Sequence, residues 1–311
     1  MRRRKTTSTP SYHGDEKDEI KSKGSGRESR LVVYGIAICV LYVLAPLGPH
    51  IMRALPLLLS GRKHEFSTIF RYDIPWAWAK DAHREVFPEM TPTSLGSNFD
   101  IIIQEYDAYR KLYGEATSFA DIDKKYQGFK DKEPWGSQFL RVYGVDTCYA
   151  DYFPKTMELF NHWEYEATSI MISRLAPGQT LPAHLGPTKL VLRHLMVLKA
   201  DFEPEPSAIH IGPCYTKPQS CELKKYPWEK EGQERVFDDS FWHMADNPTH
   251  KERIALFTDV KREMKGWREQ LIYDLIMYVI RVSTFEPKHS IVENTNRFCE
   301  AAKRKQSGQS S

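Results

Sequence analysis

The chain has 311 residues, 41% of them apolar and 27% charged, enough for one globular domain with appendages. A formal net charge of +3, with no alternation of basic and aromatic residues, argues against a nucleic-acid partner. The absence of any repeat of 20 to 50 residues excludes helical-repeat partner domains.

Residues 1–30 hold nine Lys or Arg against five acidic residues, separated by Ser and Gly. Such a segment cannot bury enough apolar surface to order itself, and a disordered basic tail is expected. Residues 31–52 carry no Asp, Glu, Lys or Arg. At about 1.5 Å per residue they can cross a hydrocarbon core of roughly 30 Å, which predicts a transmembrane helix kinked or ended near Pro46 and Pro49. Basic residues favour the cytosolic side, and Arg2, Arg3, Arg4, Lys5, Arg27 and Arg30 outweigh Arg53, Arg62 and Lys63. The expected protein is a signal-anchored, single-pass type II membrane protein of the endoplasmic reticulum or Golgi, its domain in the lumen.

Residues 53–95 read as a membrane-proximal connector whose Trp76 and Trp78 suit either the bilayer interface or the domain surface. From Asn98 to Tyr113, Phe99, Ile102, Ile103, Tyr106 and Tyr109 recur at helical spacing, predicting an amphipathic helix that covers the domain. Runs rich in Ile, Val, Leu and Phe then follow at 167–175, 189–197, 207–212, 235–238 and 253–260. Turns such as Pro177-Gly178, Gly212-Pro213 and Asn247-Pro248 separate them, as in an antiparallel jelly roll. His184 and His243 stand at strand edges, each trailed by an arginine, Arg193 and Arg253. Neutral imidazoles are common ligands of redox-active divalent metals, so the two histidines are candidate iron ligands. A carboxylate usually stands two residues after the first histidine, and here that position is Gly186. Ordinary hydrogen-bonded histidines are the alternative.

The wording of these segments carries further information. His184-Leu-Gly-Pro-Thr188, Leu192-Arg193, Phe237-Asp-Asp-Ser-Phe-Trp-His243 and Arg253-Ile-Ala-Leu-Phe-Thr-Asp259 closely resemble the aspartyl/asparaginyl β-hydroxylase family, over residues 134–261. The resemblance implies a mainly β, double-stranded β-helix (a cupin-like jelly roll) with flanking helices. It also implies a dioxygenase using iron(II), 2-oxoglutarate and O2, and iron held by two histidines without a carboxylate, which Gly186 suits. By position, His184 and His243 would bind iron, Ser173 and Arg253 would hold one carboxylate of 2-oxoglutarate, and Arg193 would lie near its other end. Trp135 would lie near the co-substrate. A disulfide between Cys214 and Cys221 is implied too, where the residues alone leave two free thiols open; the pairing of Cys148 and Cys299 is open.

The chain also departs from the family pattern. The family reads Arg-x-His-Leu where this chain reads Arg193-His194-Leu195, and since neighbouring strand residues point to opposite faces, His194 is left out of the site. Val191 replaces an arginine with which peptide-hydroxylating members contact substrate. Asp238 and Asp239 are read as turn or supporting residues rather than ligands.

The dioxygenase domain is therefore expected at 96–263, an amphipathic helix at 264–285 and a polar tail at 286–311. The helix could pack on the barrel, lie on the membrane surface or pair with another copy, and packing is favoured. The expected reaction is hydroxylation of peptidyl Asp or Asn at the β-carbon in secretory-pathway proteins, with 2-oxoglutarate oxidised to succinate and carbon dioxide. Two alternatives stand beside it: hydroxylation of a lipid acyl chain, as in the related bacterial lipid A hydroxylases, and a binding module of the same fold without turnover.

Overall fold

A computed structural model describes residues 25–80, 93–114, 117–122, 135–214, 221–282, 288–306 and 308. The chain divides into two compact units, Met1–Ala45 and Pro46–Ser311.

In the first unit, helix α1 (Ser25–Leu44) begins six residues before the apolar run, inside the segment expected to be a disordered tail. Residues 1–24 of that tail lie outside the described residues. The helical stretch Tyr34–Leu59, 26 residues long, is long and apolar enough to cross a membrane, and is a candidate span.

The second unit opens with α2 (Gly48–Leu59), which starts with a proline in its first turn, where a missing N–H costs nothing. Next come α3 (Lys63–Thr68), a π-helical turn (Ile69–Asp73) and α4 (Ile74–Trp78). This connector is part of the domain wall. Lys189 N donates to Arg71 O at 2.8 Å, Lys265 N to Trp78 O at 2.7 Å and Lys80 N to Glu263 O at 3.1 Å. The short α5 (Ser94–Ser97) precedes α6 (Phe99–Tyr113). Ile102, Tyr106 and Tyr109 form the buried stripe of α6, and Gly114 ends it with φ 80°, a conformation other residues rarely adopt.

Two antiparallel sheets form the core. The larger consists of β1 (Thr117–Ser118), β2 (Gly136–Val142), β3 (Val145–Asp146), β4 (Ala167–Leu175), β6 (Val191–Lys199), β9 (Glu234–Phe237) and β11 (Arg253–Lys261). Its order is β1-β2-β4-β11-β6-β9, with β3 on β2. The smaller is β5-β10-β7-β8, made of β5 (Gln179–His184), β7 (Ala208–Ile211), β8 (Lys224–Pro227) and β10 (His243–Asn247). These two facing sheets are the double-stranded β-helix expected from the resemblance.

Alternation along β11 separates two faces of the large sheet. Ile254, Leu256 and Val260 join Ile170, Ile172, Met196 and Leu198 beneath α6 and α8 (Pro154–Asn161). Arg253, Ala255, Phe257 and Asp259 lie on the other face, in register with Leu175, Ser173, Met171 and Ser169 on β4. That polar-bearing face is the interior of the barrel.

Two helices complete the unit. After the short α7 (Phe119–Ile122) and α8, α9 spans Trp267–Val282 and α10 spans Lys288–Gln306. Within the polar tail expected at 286–311, residues 288–306 are helical. Ile291, Thr295 and Cys299 are buried at four-residue intervals, and Cys299 is disulfide-bonded to Cys148. One inward residue per turn is too thin a stripe to register against so many charged neighbours.

Candidate active site

The two histidines meet because β5 and β10 pair. His243 stands directly opposite His184, with ring centroids 4.2 Å apart and planes at 52°. The ladder slips between His243 and Ala245, setting Pro182 and Ala183 of β5 against Met244 alone on β10. A proline removes a ladder donor, and a bulge at that place re-aims the residues beside it. The freed Pro182 carbonyl lies 2.8 Å from His184 Nδ1. His243 Nδ1 lies at the same distance from Phe241 O. Since carbonyls only accept, each Nδ1 carries the proton and each Nε2 keeps its lone pair, the tautomer a metal ligand needs. Burial, then the neighbouring His184, holds the His243 imidazole well below its usual pKa, so it is neutral at pH 7.

The Phe237–His243 motif is wound tightly. Asp238 Oδ1 accepts from Ser240 N at 3.1 Å and Ser240 Oγ at 2.6 Å, closing an Asx turn. Its other oxygen takes buried Lys189 Nζ and Arg262 Nη2, so that, although burial alone would raise it, Arg262 and Lys189 hold this carboxyl below its usual range. Asp239 faces the other way. Its backbone carbonyl accepts from Gly186 N at 2.7 Å, and a Cβ on Gly186 would collide with its carboxylate. The position where a ligand carboxylate is absent therefore has a carboxylate from the second motif pressed against it. Burial pushes the Asp239 carboxyl up to about 7 against the pull of Arg193. Among the described residues no group of three or more His, Cys, Asp or Glu could hold a metal.

Arg193 donates from Nη2 to Asp239 at 2.6 Å and from Nε to Asp259 at 2.8 Å, with its guanidinium 3.6 Å from the Phe257 ring centroid. It shares the interior face with Arg253, but pairing with Asp259 sets it six residues along β11, roughly 20 Å at the usual strand rise. The structure thus does not bring these two arginines together. His194 is buried on the opposite face of the sheet, away from the barrel interior, bonded to Glu234 at 3.0 Å and lying edge-on to Trp163.

Arg253 is buried, and its Nε and Nη1 have no hydrogen-bond partner. Burial pushes it down to about 10, yet it remains a cation at neutral pH. A buried guanidinium with open donors is costly unless an anion arrives, and its fork matches a carboxylate. Ser173, one alternate residue along the same face, accepts from Trp135 Nε1 at 2.8 Å, and Trp135 stacks on Phe119 at 4.2 Å. This donor set fits a small dicarboxylate, just as the histidine pair fits a divalent metal.

Sequence reasoning missed three residues here. Ser137, in register with Ser173, has a buried hydroxyl without a partner on the same face. Tyr72 donates to Gly186 O at 2.6 Å, fixing the loop after His184 from the connector. Tyr143, at φ 47° in a Tyr-Gly hairpin turn, lines the cavity. Only the turn dipeptide left a trace in the sequence.

A cavity of about 1380 Å³ adjoins the site. His184, Arg193, Asp259 and Trp135 lie on its lining, whereas His243, Ser173 and Arg253 do not. Much of the wall is apolar: Phe66 and Phe70 from the connector, Phe119, Met171, Val191 and Phe257 around the barrel mouth, and Ile276, Met277 and Ile280 from α9. Cys214 and Cys221 are disulfide-bonded in the loop before the second motif.

Residues 96–263 match the sequence profile of the aspartyl/asparaginyl beta-hydroxylase family. Over 223 residues the chain is 38% identical to an ornithine lipid ester-linked acyl 2-hydroxylase of Rhizobium tropici, covering 66% of this chain and 72% of that protein. Similar solved structures include a Pseudomonas putida prolyl-4-hydroxylase, 12% identical with a TM-score of 0.36, over 61% of this chain and 99% of that one. Another is a 2OG-Fe(II) oxygenase-family oxidoreductase from Burkholderia pseudomallei, 16% identical with a TM-score of 0.26, over 38% and 52%.

Proposed function

This chain belongs to the aspartyl/asparaginyl β-hydroxylase family and is a 2-oxoglutarate-dependent dioxygenase, and from that premise we propose that it hydroxylates the acyl chain of a membrane lipid. The observation that carries this reading is the large cavity, apolar over much of its wall, that has His184 on its lining. A single Asp or Asn side chain does not need a space of about 1380 Å³, larger than the several hundred typical of small-molecule sites, whereas an acyl chain and a co-substrate together do. Val191, buried on that wall where peptide-hydroxylating relatives carry an arginine, removes a charge that an alkyl chain would not tolerate. The Rhizobium relative, named for hydroxylating an ester-linked acyl group, supports the same class of substrate.

Iron(II) held by His184 and His243, with 2-oxoglutarate, supplies the oxidising power for attack on an unactivated C–H bond. The chain's own residues do the rest. Pro182 and Phe241 carbonyls hold the imidazoles in the ligand tautomer. Arg253, with Ser173 and Ser137, takes the far carboxylate of the co-substrate. Arg193 holds Asp239 against Gly186 at the metal-facing loop, and Trp135 and Phe119 exclude water at the barrel mouth.

The second reading, hydroxylation of peptidyl Asp or Asn in a secretory compartment, is favoured by the two disulfides of the domain, which suit an oxidising lumen. A lumenal domain is compatible with either substrate. The test is product analysis of the full chain in lipid nanodiscs with iron(II), 2-oxoglutarate and O2, offered extracted lipids and Asp-containing peptides together. Gain of one oxygen atom on a lipid acyl chain supports the proposal; gain on the peptide alone replaces it with the second reading.

A further inference from the structure

Helix α9 is a wall one helix thick, and it is apolar on both sides. Ile276, Met277 and Ile280 line the cavity, and Ile272 and Tyr273 are buried. Facing outward, Leu271, Leu275, Val279 and Val282 are 48%, 55%, 50% and 59% exposed, with Tyr278 beside them. They recur at four- and three-residue intervals, so they make one continuous stripe. A helix that separates a cavity from water ordinarily keeps its outer face polar; here Asp274 and Arg281 stand only at the edge of the stripe, and an exposed apolar stripe of this kind marks contact with another apolar surface.

The chain itself indicates what covers this stripe. The candidate membrane span Tyr34–Leu59 ends within the same compact unit, in α2, whose Ile51, Met52, Leu55, Leu58 and Leu59 are likewise exposed. After three intervening residues α3 begins, and its Phe66, with Phe70 of the π-helical turn, lines the same cavity as α9. The cavity wall is thus continuous in sequence with the anchor, and Phe70 is itself exposed. Trp267 and Tyr278, both exposed on α9, are the residue types that settle at the headgroup level.

We propose that the outer face of α9 lies in the boundary layer of the bilayer and, with the Phe66–Phe70 segment, frames a lateral entrance through which an acyl chain passes from the leaflet into the cavity. The inference rests on the acyl-chain reading for what passes, but not for where α9 lies. Hydrophobic burial drives the seating, and the substrate need never cross water, since its apolar tail exchanges one apolar surrounding for another.

Spin labels test the placement directly. In the full chain with Cys39→Ala, labels are attached at Leu271→Cys, Leu275→Cys or Val279→Cys, with Glu158→Cys on α8 as reference. The protein is reconstituted in phosphatidylcholine–phosphatidylglycerol vesicles, and collisions with oxygen and with a water-soluble nickel chelate are compared. Preferential oxygen access at 271, 275 and 279, with nickel access at 158, is expected. Nickel access at all positions, or spin–spin broadening at 275 that reports a second copy on this face, overturns the proposal. A Leu275→Glu/Val279→Glu variant gives an independent reading: hydroxylated lipid should fall severalfold while iron-dependent succinate release continues, and unchanged lipid product overturns the entrance. Lipid-buried labels without any hydroxylated lipid would instead remove the acyl-chain reading and leave the membrane placement standing.

Discussion

On the barrel side of the cavity, His184 and His243 are fixed by a backbone ladder and by hydrogen bonds two residues long; on the helical side, Ile276, Met277 and Ile280 belong to a helix with no strand partner in the sheets. The first side is held by paired strands on which the two histidines face each other. The second is attached by side chains such as Tyr273, whose hydroxyl donates to Leu190 O at 2.8 Å, and by the bridge between Ala79 and Met264 just before the helix, while α10, which lines the same cavity, is tied by the Cys148–Cys299 disulfide. The difference implies a division of labour in which the barrel determines the chemistry and the helical wall determines what is admitted.

Removing the open guanidinium on the barrel side should have the largest effect. Arg253→Met loses charge-assisted hydrogen bonds worth about 1.5–3 kcal/mol, so half-saturation by 2-oxoglutarate should rise by roughly 10- to 100-fold. The variant's melting temperature without co-substrate should hold or increase, because a buried cation with two unpartnered nitrogens is gone. Steady-state kinetics and calorimetry check both; a destabilised variant with unchanged co-substrate affinity would assign Arg253 to structure alone.

On the helical side, opening the Cys148–Cys299 link by Cys299→Ser should cost about 2–4 kcal/mol, read as a lowered denaturation midpoint. Lipid product should fall more than iron-dependent succinate release, since α10 borders the cavity and not the histidines. Equal loss of both would show the two sides to be one cooperative element.

Gly186→Ala sharpens the comparison by adding one methyl where the Asp239 carboxylate already sits. Overpacking of this kind costs about 1–3 kcal/mol, and iron affinity, followed by competition with a chelator, should fall with it. Wild-type affinity would mean that the contact yields freely.

The smallest effect is a pH dependence. His243 in the folded chain is held well below 6.5, so below pH 6.5 the unfolded chain binds a proton that the folded one refuses. Stability of the metal-free protein should therefore be complete above about 6.5 and decline as pH falls through it. Asp239, raised to about 7, acts in the opposite direction, so the difference between wild type and His243→Asn isolates the histidine contribution. Denaturant midpoints between pH 5 and 7.5 that are parallel in both proteins would contradict it.

What the sequence revealed follows the same division. The barrel was readable because its strands alternate and its motifs are local: His184 with Gly186, and Phe237 through His243, are each a few residues long. β5 was harder, since Gln179–His184 is half exposed and broken by Pro182, and only its histidine marked it. The connector hid its role because Tyr72 and Arg71 reach Gly186, Thr188 and Lys189 across more than a hundred residues through backbone carbonyls, which leave no pattern of residue types. Ser137 is an ordinary strand serine until its register with Ser173 is known. In α10 the inward residues include a threonine and a cysteine, so periodicity did not announce a helix.

The most direct measurement is succinate formed from 2-oxoglutarate by the full chain in nanodiscs with added iron(II), beside a His184→Ala/His243→Ala variant. Release that requires iron and falls in the variant by more than the 10- to 100-fold typical of changes around a ligand is the predicted result. Equal release by both proteins, or none from the wild type despite bound iron and 2-oxoglutarate, would contradict the assignment of the histidine pair as the metal site.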